Sequence, residues 1–403
     1  MKNSTLVMVS AILLGACQFT ATAAEKKYGP GVTDTEIKIG QTVPYSGPAS
    51  AFSSYGRVMA GYFQMLNEKG GINGRKVTLI SLDNAYSPPK ALEQTRKLVE
   101  DTEVLADVGT VGTVPNIAIQ KYLNQNKVPH VFASAGGRRF NDPQNFPWTV
   151  PSYPPFQMEG ATFGNFILKN LPNAKIAVLY QNDDYGKDFL TGLKNAFGND
   201  AKTKIIAEAT YELTDPTIDS QVIQLKASGA DTLLHFTTPK FAAQALKKVY
   251  ELNWKPTQFL ASPINSVQTV LTPAGLENVQ GVLTTQFTKQ AGDPAWAQDP
   301  EVIEYIAFLK KWAPNDSPND FIGLTGYINA QAIARALDRC GDDLTRDNLL
   351  HQATNFKKER VAMLLPGVEL NNSKADYNSK ADYAPYRSLR MARFENASWK
   401  LLD

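Results

Sequence analysis

The sequence predicts an α/β protein built on two parallel β-sheets, each doubly wound, with helices on both faces. Residues 36–133 alternate short apolar strands with amphipathic helices, and residues 176–261 repeat that alternation. A proline-dense stretch from Pro143 to Pro155 separates the two runs. Such alternation gives parallel sheets, because right-handed crossovers bring successive strands side by side and place the helices on the sheet faces.

The first run predicts a βαβαβαβ order. Its strands are expected at residues 37–41, 77–82, 104–108 and 130–133. Met59, Phe63 and Leu66 recur at i, i+4 and i+7 of the first helix. Prolines mark the starts of the next two helices, at Pro88 and near Pro115, where the missing N–H costs little.

The second run repeats the pattern. Its strands are expected at 176–180, 205–209, 232–236 and 259–261, and its helices at 187–197, 219–228 and 239–252. Beyond Gly281 the alternation weakens into helices at 300–312 and 321–339, which we expect to return to the first sheet. A last strand at 389–394 is expected to rejoin the second sheet.

The amino-terminal residues predict a targeting segment. Lys2 precedes an apolar run, Leu6 to Ala16, that is too short to span a bilayer as a mature helix. Two processing routes are open. Cleavage after Ala23 or the next residue would remove residues 1–23 as a signal peptide and release a periplasmic protein, whereas a lipobox ending at Cys17 would tether it to a membrane. Either route predicts export.

Composition narrows the function classes. About 380 residues remain after cleavage, enough for two domains. The formal net charge of +2 gives no case for binding nucleic acid or an anionic membrane surface. Cys340 is the only free cysteine of the mature domain, so no intrachain disulfide is expected.

The sequence lacks the common catalytic signatures. It contains no G-x-S-x-G elbow, H-E-x-x-H helix, C-x-x-C pair or phosphate loop. His130 and His235 fall inside predicted strands, where a hydrogen-bonded structural role is expected. We therefore predict no enzymatic activity, no cofactor and no metal.

The loops that follow the strands predict a binding site. Ligands in open parallel sheets sit outside the carboxyl ends of the strands. Here those loops are rich in serine, threonine and glycine, in 45–55, 109–113 and 134–137. Their N–H and hydroxyl groups can hold a carboxylate without a fixed positive charge. The alternative is that each is an ordinary βα turn capped by its hydroxyl residues.

Several stretches resemble one protein family in order along the chain. They are Ile37-Lys38-Ile39-Gly40 with Tyr45-Ser46-Gly47-Pro48, Asn67 to Gly74, Ala177 to Tyr180 with Asp184-Tyr185-Gly186, and Leu225 to Asp231. The chain resembles the periplasmic solute-binding proteins of branched-chain amino acid (leucine/isoleucine/valine-type) ABC transporters. The resemblance runs from about Glu36 nearly to the carboxyl terminus.

The resemblance implies a type I periplasmic binding protein fold, with two lobes joined by a three-strand hinge and a ligand cleft between them. It implies an amino-terminal lobe of 35–150 plus about 285–385, and a carboxyl-terminal lobe of 151–284 plus about 386–403. It also implies a monomer that takes a small-molecule ligand and delivers it to a cognate ABC permease and its ATPase.

The strand-end loops and the resemblance together predict the ligand contacts. They are Tyr55, Thr110, Val111, Gly112, Thr113, Ser134, Ala135, Gly136, Tyr153, Tyr185, Thr237 and Pro263. Within this set the resemblance assigns carboxylate binding to Thr110–Thr113 and Ser134–Gly136. It assigns closure over the ligand to Tyr185.

One departure from the family pattern bears on the ligand. In the amino-acid binders an acidic residue after the late strand of the second lobe pairs with the ligand ammonium, but here no carboxylate occurs between Gln258 and Gly275. Burying an ammonium without an anionic partner costs several kcal/mol. We therefore expect an organic acid that lacks the amine. Asp183 or Asp184 is the alternative source of the missing charge.

Aromatic side chains near the predicted cleft indicate that the organic acid can be aromatic. A ring can be held between Tyr45, Phe52, Tyr55, Tyr153, Phe156 and Tyr185, or these residues can belong to the core. Arg57, Arg138 and Arg139 either clamp a carboxylate or lie exposed. A ligand-sensing receptor of the same fold is the alternative to a transport protein, since fold alone does not separate the two.

Overall fold

A computed structural model of the protein describes residues 26–372 and 382–402. The predicted signal peptide, residues 1–23, and the lipobox cysteine Cys17 lie outside these ranges. Among the helices of the two described ranges, none combines the length and the apolar run that a membrane crossing requires.

The first sheet holds five parallel strands in the order β3-β2-β4-β5-β6. Their bounds are Glu36–Val43 (β2), Lys76–Asp83 (β3), Asp107–Val108 (β4), His130–Ala133 (β5) and Thr149–Pro151 (β6). A separate two-stranded pair joins Lys27–Tyr28 (β1) to Asp343–Leu344 (β12). The predicted strands of the first run are confirmed. The sheet has one more strand than predicted, β6, which pairs with β5 and lies in the proline-dense stretch.

The second sheet holds seven strands in the order β14-β13-β11-β10-β9-β7-β8. Their bounds are Ile176–Gln181 (β7), Ile205–Tyr211 (β8), Thr232–Phe236 (β9), Thr257–Leu260 (β10), Leu283–Gln286 (β11), Arg390–Glu395 (β13) and Ser398–Leu401 (β14). The predicted return of the last segment to this sheet is confirmed. Strands β13 and β14 pair antiparallel, so this sheet is not parallel throughout.

Helices cover both sheets. Their bounds are Ser53–Glu68 (α1), Pro88–Arg96 (α2), Thr113–Gln125 (α3), Phe156–Asn170 (α4), Asp184–Phe197 (α5), Ala201–Lys204 (α6), Asp219–Ala227 (α7), Pro239–Glu251 (α8), Thr272–Ala274 (α9), Pro300–Trp312 (α10), Phe321–Cys340 (α11) and Arg346–Ala353 (α12). Helix α11 packs against α1 and β5, so the late helices return to the first sheet. The chain thus passes between the sheets after β6, after β11 and before β13.

Two elements differ from the prediction for a physical reason. Helix α5 begins at Asp184, earlier than expected, because the Asp183 carboxylate caps it by accepting the N–H groups of Tyr185 and Gly186. Strand β4 has only two residues, which pair with β2 at one position and with β5 at two.

The histidines of the strands have the predicted structural role. Nε2 of His130 lies 2.6 Å from Oδ1 of Asn116, and Nε2 of His235 lies 3.0 Å from Oε1 of Gln258. Burial lowers the pKa of His130 to about 3 and that of His235 to about 4. Both rings are therefore neutral at physiological pH.

Candidate functional site

A cavity lies where the carboxyl ends of the two sheets face each other. From the first sheet and its returning helix come Phe52, Tyr55, Tyr86, Val111, Gly112, Thr113, Ser134, Phe321, Ile322 and Thr325. From the second sheet and the crossover before it come Tyr153, Phe156, Tyr185, Thr238 and Pro263. The space, with the part that opens to solvent, is about 510 Å³. Small-molecule sites usually have ~300–1,000 Å³.

The amino terminus of helix α3 points into this cavity. Gly112 is its N-cap, in a left-handed conformation with φ of 102°, and no side chain caps the helix. The N–H of Asn116 already bonds to the carbonyl of Gly112 at 3.2 Å, and Pro115 has no N–H. The N–H groups of Thr113 and Val114 are therefore left without a helical partner. The helix dipole adds partial positive charge there, so the site suits an anion.

Ser134 is brought beside that helix terminus by backbone pairing. Its N–H bonds to the Thr110 carbonyl at 2.9 Å, and its carbonyl accepts the Gly112 N–H at 3.2 Å. The strand before it bulges at Phe132, a non-glycine residue with φ of 56°. Bulges re-aim the side chains that follow them. The result is a hydroxyl that lines the cavity next to the helix terminus.

A hydrogen-bonded cluster forms the floor of the cavity on the first-sheet side. Nδ2 of Asn329 lies within hydrogen-bonding distance of the Tyr55 hydroxyl, of the Phe132 carbonyl at 2.9 Å and of Ser152 Oγ at 3.0 Å, and its two hydrogens are shared among these three acceptors. Burial raises the pKa of Tyr55 well above its usual value, so its hydroxyl is neutral. Helix α11 supplies Asn329, and this cluster therefore ties the late part of the chain to the first sheet.

Aromatic residues make up seven of the fifteen residues that line the cavity. The Phe52 and Tyr86 rings stack with centroids 6.4 Å apart and planes at 19°. Phe156 meets Tyr185 edge-on at 5.1 Å and lies 6.0 Å from Tyr153. Edge-on and offset contacts are the geometries that aromatic rings prefer, so a flat aromatic guest can pack against these rings in the same way. Five of the six aromatics predicted near the cleft line the cavity; Tyr45 does not, and its hydroxyl lies 2.5 Å from Ser81 Oγ.

No charged side chain lines the cavity within the described ranges. Asp183 is one predicted substitute for the missing acid. Its carboxylate caps α5 and accepts a hydrogen bond from Gln181 Nε2 at 2.5 Å. Asp184, the other, is exposed at the mouth of the cleft. Neither carboxylate therefore faces the cavity.

A third carboxylate lies behind the wall. Glu159 of helix α4 is fully buried and accepts the N–H and the hydroxyl of Ser262 at 2.6 and 2.7 Å, and the Thr285 hydroxyl at 2.8 Å. Burial raises the pKa of Glu159 to about 7. It holds the segment that carries Pro263 and does not reach the cavity. Sequence reasoning missed it because α4 is distant in sequence from that segment.

The structure brings most of the predicted contacts together. Tyr55, Val111, Gly112, Thr113, Ser134, Tyr153, Tyr185 and Pro263 line the cavity. Thr110, Ala135, Gly136 and Thr237 do not. Thr110 Oγ1 donates to Asp107 Oδ2 at 3.1 Å and accepts the Thr42 N–H at 3.0 Å, so it is used internally.

The remaining three lie beside the cavity without lining it. Ala135 is buried, and the Gly136 carbonyl accepts the Phe156 N–H at 2.9 Å. The Thr237 carbonyl accepts the Tyr185 hydroxyl at 2.9 Å, while the next residue, Thr238, lines the cavity. Alternation along an extended segment turns neighbouring side chains to opposite sides, which is why Thr238 lines the cavity and Thr237 does not.

Several lining residues carried no recognised sequence signal. Tyr86 follows β3 and reaches the cavity through two successive left-handed residues, Ala85 and Tyr86, with φ of 48° and 58°. Such a conformation is uncommon for non-glycine residues. Its ring packs so closely over Gly112 that a Cβ at Gly112 would overlap it. Phe321, Ile322 and Thr325 come from the start of α11, and only the return of that helix could have indicated them.

Similarity to known proteins agrees with this architecture. Residues 36–380 match the family described as periplasmic binding protein. A Leu/Ile/Val-binding protein homolog 7 of Brucella suis biovar 1 (strain 1330) is 24% identical over 375 residues, which cover 90% of this chain and 88% of that protein.

Two solved structures share the fold. A fatty acid ABC transporter substrate-binding protein from Thermomonospora curvata has a TM-score of 0.77 at 21% identity, covering 94% of each chain. A solute-binding protein of an ABC transporter from R. palustris, solved in complex with benzoate, has a TM-score of 0.73 at 19% identity, covering 91% of this chain and 95% of that one.

Proposed function

The chain belongs to the periplasmic binding protein family, and we propose that it captures a small carboxylate without an amine for an ABC importer. The predicted family and its type I fold are confirmed. Because family members bind solutes, the prediction that the chain is not an enzyme is confirmed as well. Membership also implies an extracytoplasmic location.

The absence of charge in the cavity carries the proposal. An α-amino acid presents an ammonium that would be buried against aromatic rings with no carboxylate lining the described cavity. That burial costs several kcal/mol. A ligand whose only charged group is a carboxylate can place that group at the α3 amino terminus, beside Thr113 and Ser134. The amine-free acid is therefore the better guest.

The aromatic residues that line the cavity indicate the shape of the apolar part of the ligand. Phe52, Tyr86, Phe156 and Tyr185 offer ring faces and edges to an aromatic or otherwise flat body. A benzoate-bound solute-binding protein and a fatty acid substrate-binding protein share this fold, so amine-free acids are known guests of the architecture. The Tyr153 hydroxyl is buried and makes no hydrogen bond of good geometry to any described residue, so we propose that it donates a hydrogen bond to the ligand.

Capture proceeds by closure of the two lobes. The proposed lobes are 35–150 with about 285–385, and 151–284 with about 386–403, after removal of residues 1–23. Contacts between them flank the cavity: Ser266 Oγ donates to Asp320 Oδ1 at 2.9 Å, and the Arg138 N–H donates to Asp188 Oδ2 at 2.7 Å. A ligand that touches both lobes strengthens this closed arrangement, and the closed surface is then offered to the permease and its ATPase.

The helix terminus can be tested by two substitutions at one position. Thr113→Val removes the hydroxyl, and Thr113→Pro removes both the hydroxyl and the N–H while leaving a residue that helices accept at their first position. Since a hydrogen bond to a charged group is worth about 1.5–3 kcal/mol, we expect Thr113→Val to raise the Kd for benzoate about ten- to a hundred-fold, and Thr113→Pro to raise it further.

Isothermal titration calorimetry with benzoate and with leucine measures both effects. Thr162→Val is the matched control, because its hydroxyl bonds to the Met158 carbonyl within α4, away from the cavity. Unchanged benzoate affinity in both Thr113 variants would contradict the proposed carboxylate site. Binding of leucine but of no amine-free acid would contradict the proposed ligand class.

A further inference from the structure

A second hollow adjoins the cavity, and we call it the vestibule. Gly136, Gly137, Arg138, Asn141, Tyr153 and Gln157 are among the residues that line it. Tyr153 also lines the cavity, so one aromatic side chain separates the two spaces. The vestibule measures about 410 Å³ with the part that opens to solvent.

The vestibule lies between the cavity and the mouth of the cleft. Arg138 and Asn141 line both the vestibule and the wide opening between residues 138–147 and helix α5. The loop from Ser134 to Gly137 runs from the cavity into the vestibule, since Ser134 lines the first and Gly137 the second. A ligand held at Ser134 can therefore extend along this loop toward solvent.

The vestibule differs from the cavity in charge. Arg138 is the only charged residue that lines it within the described ranges. The backbone N–H of Arg138 bonds to Asp188, but the Arg138 guanidinium has no hydrogen-bond or ion-pair partner among the described residues. The Asp188 oxygens are both in use, one on the Arg138 N–H and one on Gln157 Nε2 at 2.7 Å. The side-chain cation is thus available.

The other two candidate arginines are occupied. The Arg57 guanidinium pairs with the Asp316 carboxylate at 2.5 Å. Arg139 Nε donates to Gln120 Oε1 at 3.0 Å, and its guanidinium stacks 5.7 Å from the centroid of the Phe146 ring. Of the three arginines that the sequence offered as clamps, only Arg138 borders a hollow with its guanidinium unpaired.

We infer that the ligand carries a second anionic group that lodges in the vestibule against Arg138, which makes the ligand class an aromatic dicarboxylate. The inference rests on the proposed function, because the first carboxylate is the one at the α3 terminus. A planar guanidinium recognises a carboxylate through paired hydrogen bonds. The cavity then holds the ring, and the vestibule holds the second acid.

Calorimetric titration of the mature protein tests this with four probes: benzoate, benzene-1,3-dicarboxylate, benzene-1,4-dicarboxylate and leucine. At least one dicarboxylate is expected to bind about ten-fold more tightly than benzoate, an advantage that shrinks as salt is raised. Arg138→Gln is expected to remove that advantage while leaving the benzoate Kd within about two-fold. Lys121→Gln, at an exposed cation of α3 outside both hollows, is the control and should change neither Kd.

The outcomes separate the two proposals. If benzoate binds and both dicarboxylates bind more weakly, the inference about the vestibule fails and the proposed function stands. If Arg138→Gln weakens benzoate and dicarboxylate equally, Arg138 does not face a second acid and the inference also fails. If leucine binds and none of the aromatic acids does, the proposed function fails and this inference with it.

Discussion

Replacing Glu159 by glutamine should remove a pH-dependent loss of stability. The Glu159 carboxylate is fully buried, and three donors from Ser262 and Thr285 bond to it. Burial outweighs these hydrogen bonds and raises the pKa from its ordinary 4.5 to about 7. Glutamine has the shape of the protonated acid and cannot ionise.

The sign follows from proton binding in the two states. Between about pH 4.5 and 7 the folded protein holds a proton that the unfolded chain has released, so the free energy of unfolding falls as pH rises through that window. The difference between a pKa of 4.5 and one of about 7 corresponds to about 3 kcal/mol. The wild type should therefore lose about 3 kcal/mol more than Glu159→Gln between pH 4.5 and pH 8. Asp107, whose pKa burial raises to about 7, contributes equally to both proteins.

Urea unfolding followed by circular dichroism at about pH 4.5 and about pH 8 measures the difference. Glu304→Gln, at an exposed position of α10, is the control and should follow the wild type at both pH values. Equal pH dependence in the wild type and in Glu159→Gln would show that Glu159 titrates normally in the folded protein. The conclusion that burial of Glu159 outweighs its three hydrogen bonds would then be wrong.

Three further substitutions have defined outcomes. Asp188→Ala removes the acceptor of the Arg138 N–H between the proposed lobes. A partly exposed charge-assisted hydrogen bond is worth about 1 kcal/mol, so calorimetry should show a ligand Kd about five-fold higher. An unchanged Kd would mean that this contact does not support closure. Gly112→Ala places a Cβ against the Tyr86 ring at a φ of 102°, and should abolish the ligand-induced thermal shift, whereas a normal shift would show that this turn adapts. Trp399→Ala deletes a buried ring and its bond to the Asn265 carbonyl at 2.8 Å, and should lower the free energy of unfolding by about 4 kcal/mol in urea titrations; a loss below about 1 kcal/mol would show that β14 contributes little.

Local patterns in the sequence were sufficient to predict the sheets and most helices. Strands β5 and β9 and helix α10 have the predicted bounds, since apolar runs and flanking prolines mark them clearly. Strand β6 was missed because it is three residues long and ends at Pro151 within a proline-dense stretch. Strand β11 was missed because its sequence, LTTQ, is mostly polar although all four residues are buried.

The candidate site was predicted where it depends on strand ends and missed where it depends on distant packing. Ser134 follows β5 directly, and Thr113 begins α3 after the short loop that follows β4, so the rule for parallel sheets finds both. Tyr86 reaches the cavity only through left-handed backbone, which no residue type in that segment signals. Phe321 depends on the return of α11 across the first sheet, and a non-local contact of that kind is not encoded in any window of sequence.

The most direct test of the central claim compares ligands that differ only by the amine. Leucine with 4-methylpentanoate, and phenylalanine with 3-phenylpropanoate, are matched pairs of this kind. Calorimetry on the mature protein should give each amine-free acid a Kd at least about a hundred-fold lower than that of its amino acid, because an unpaired buried ammonium costs several kcal/mol. Equal or tighter binding of the amino acids would contradict the claim that the described cavity offers an ammonium no carboxylate partner.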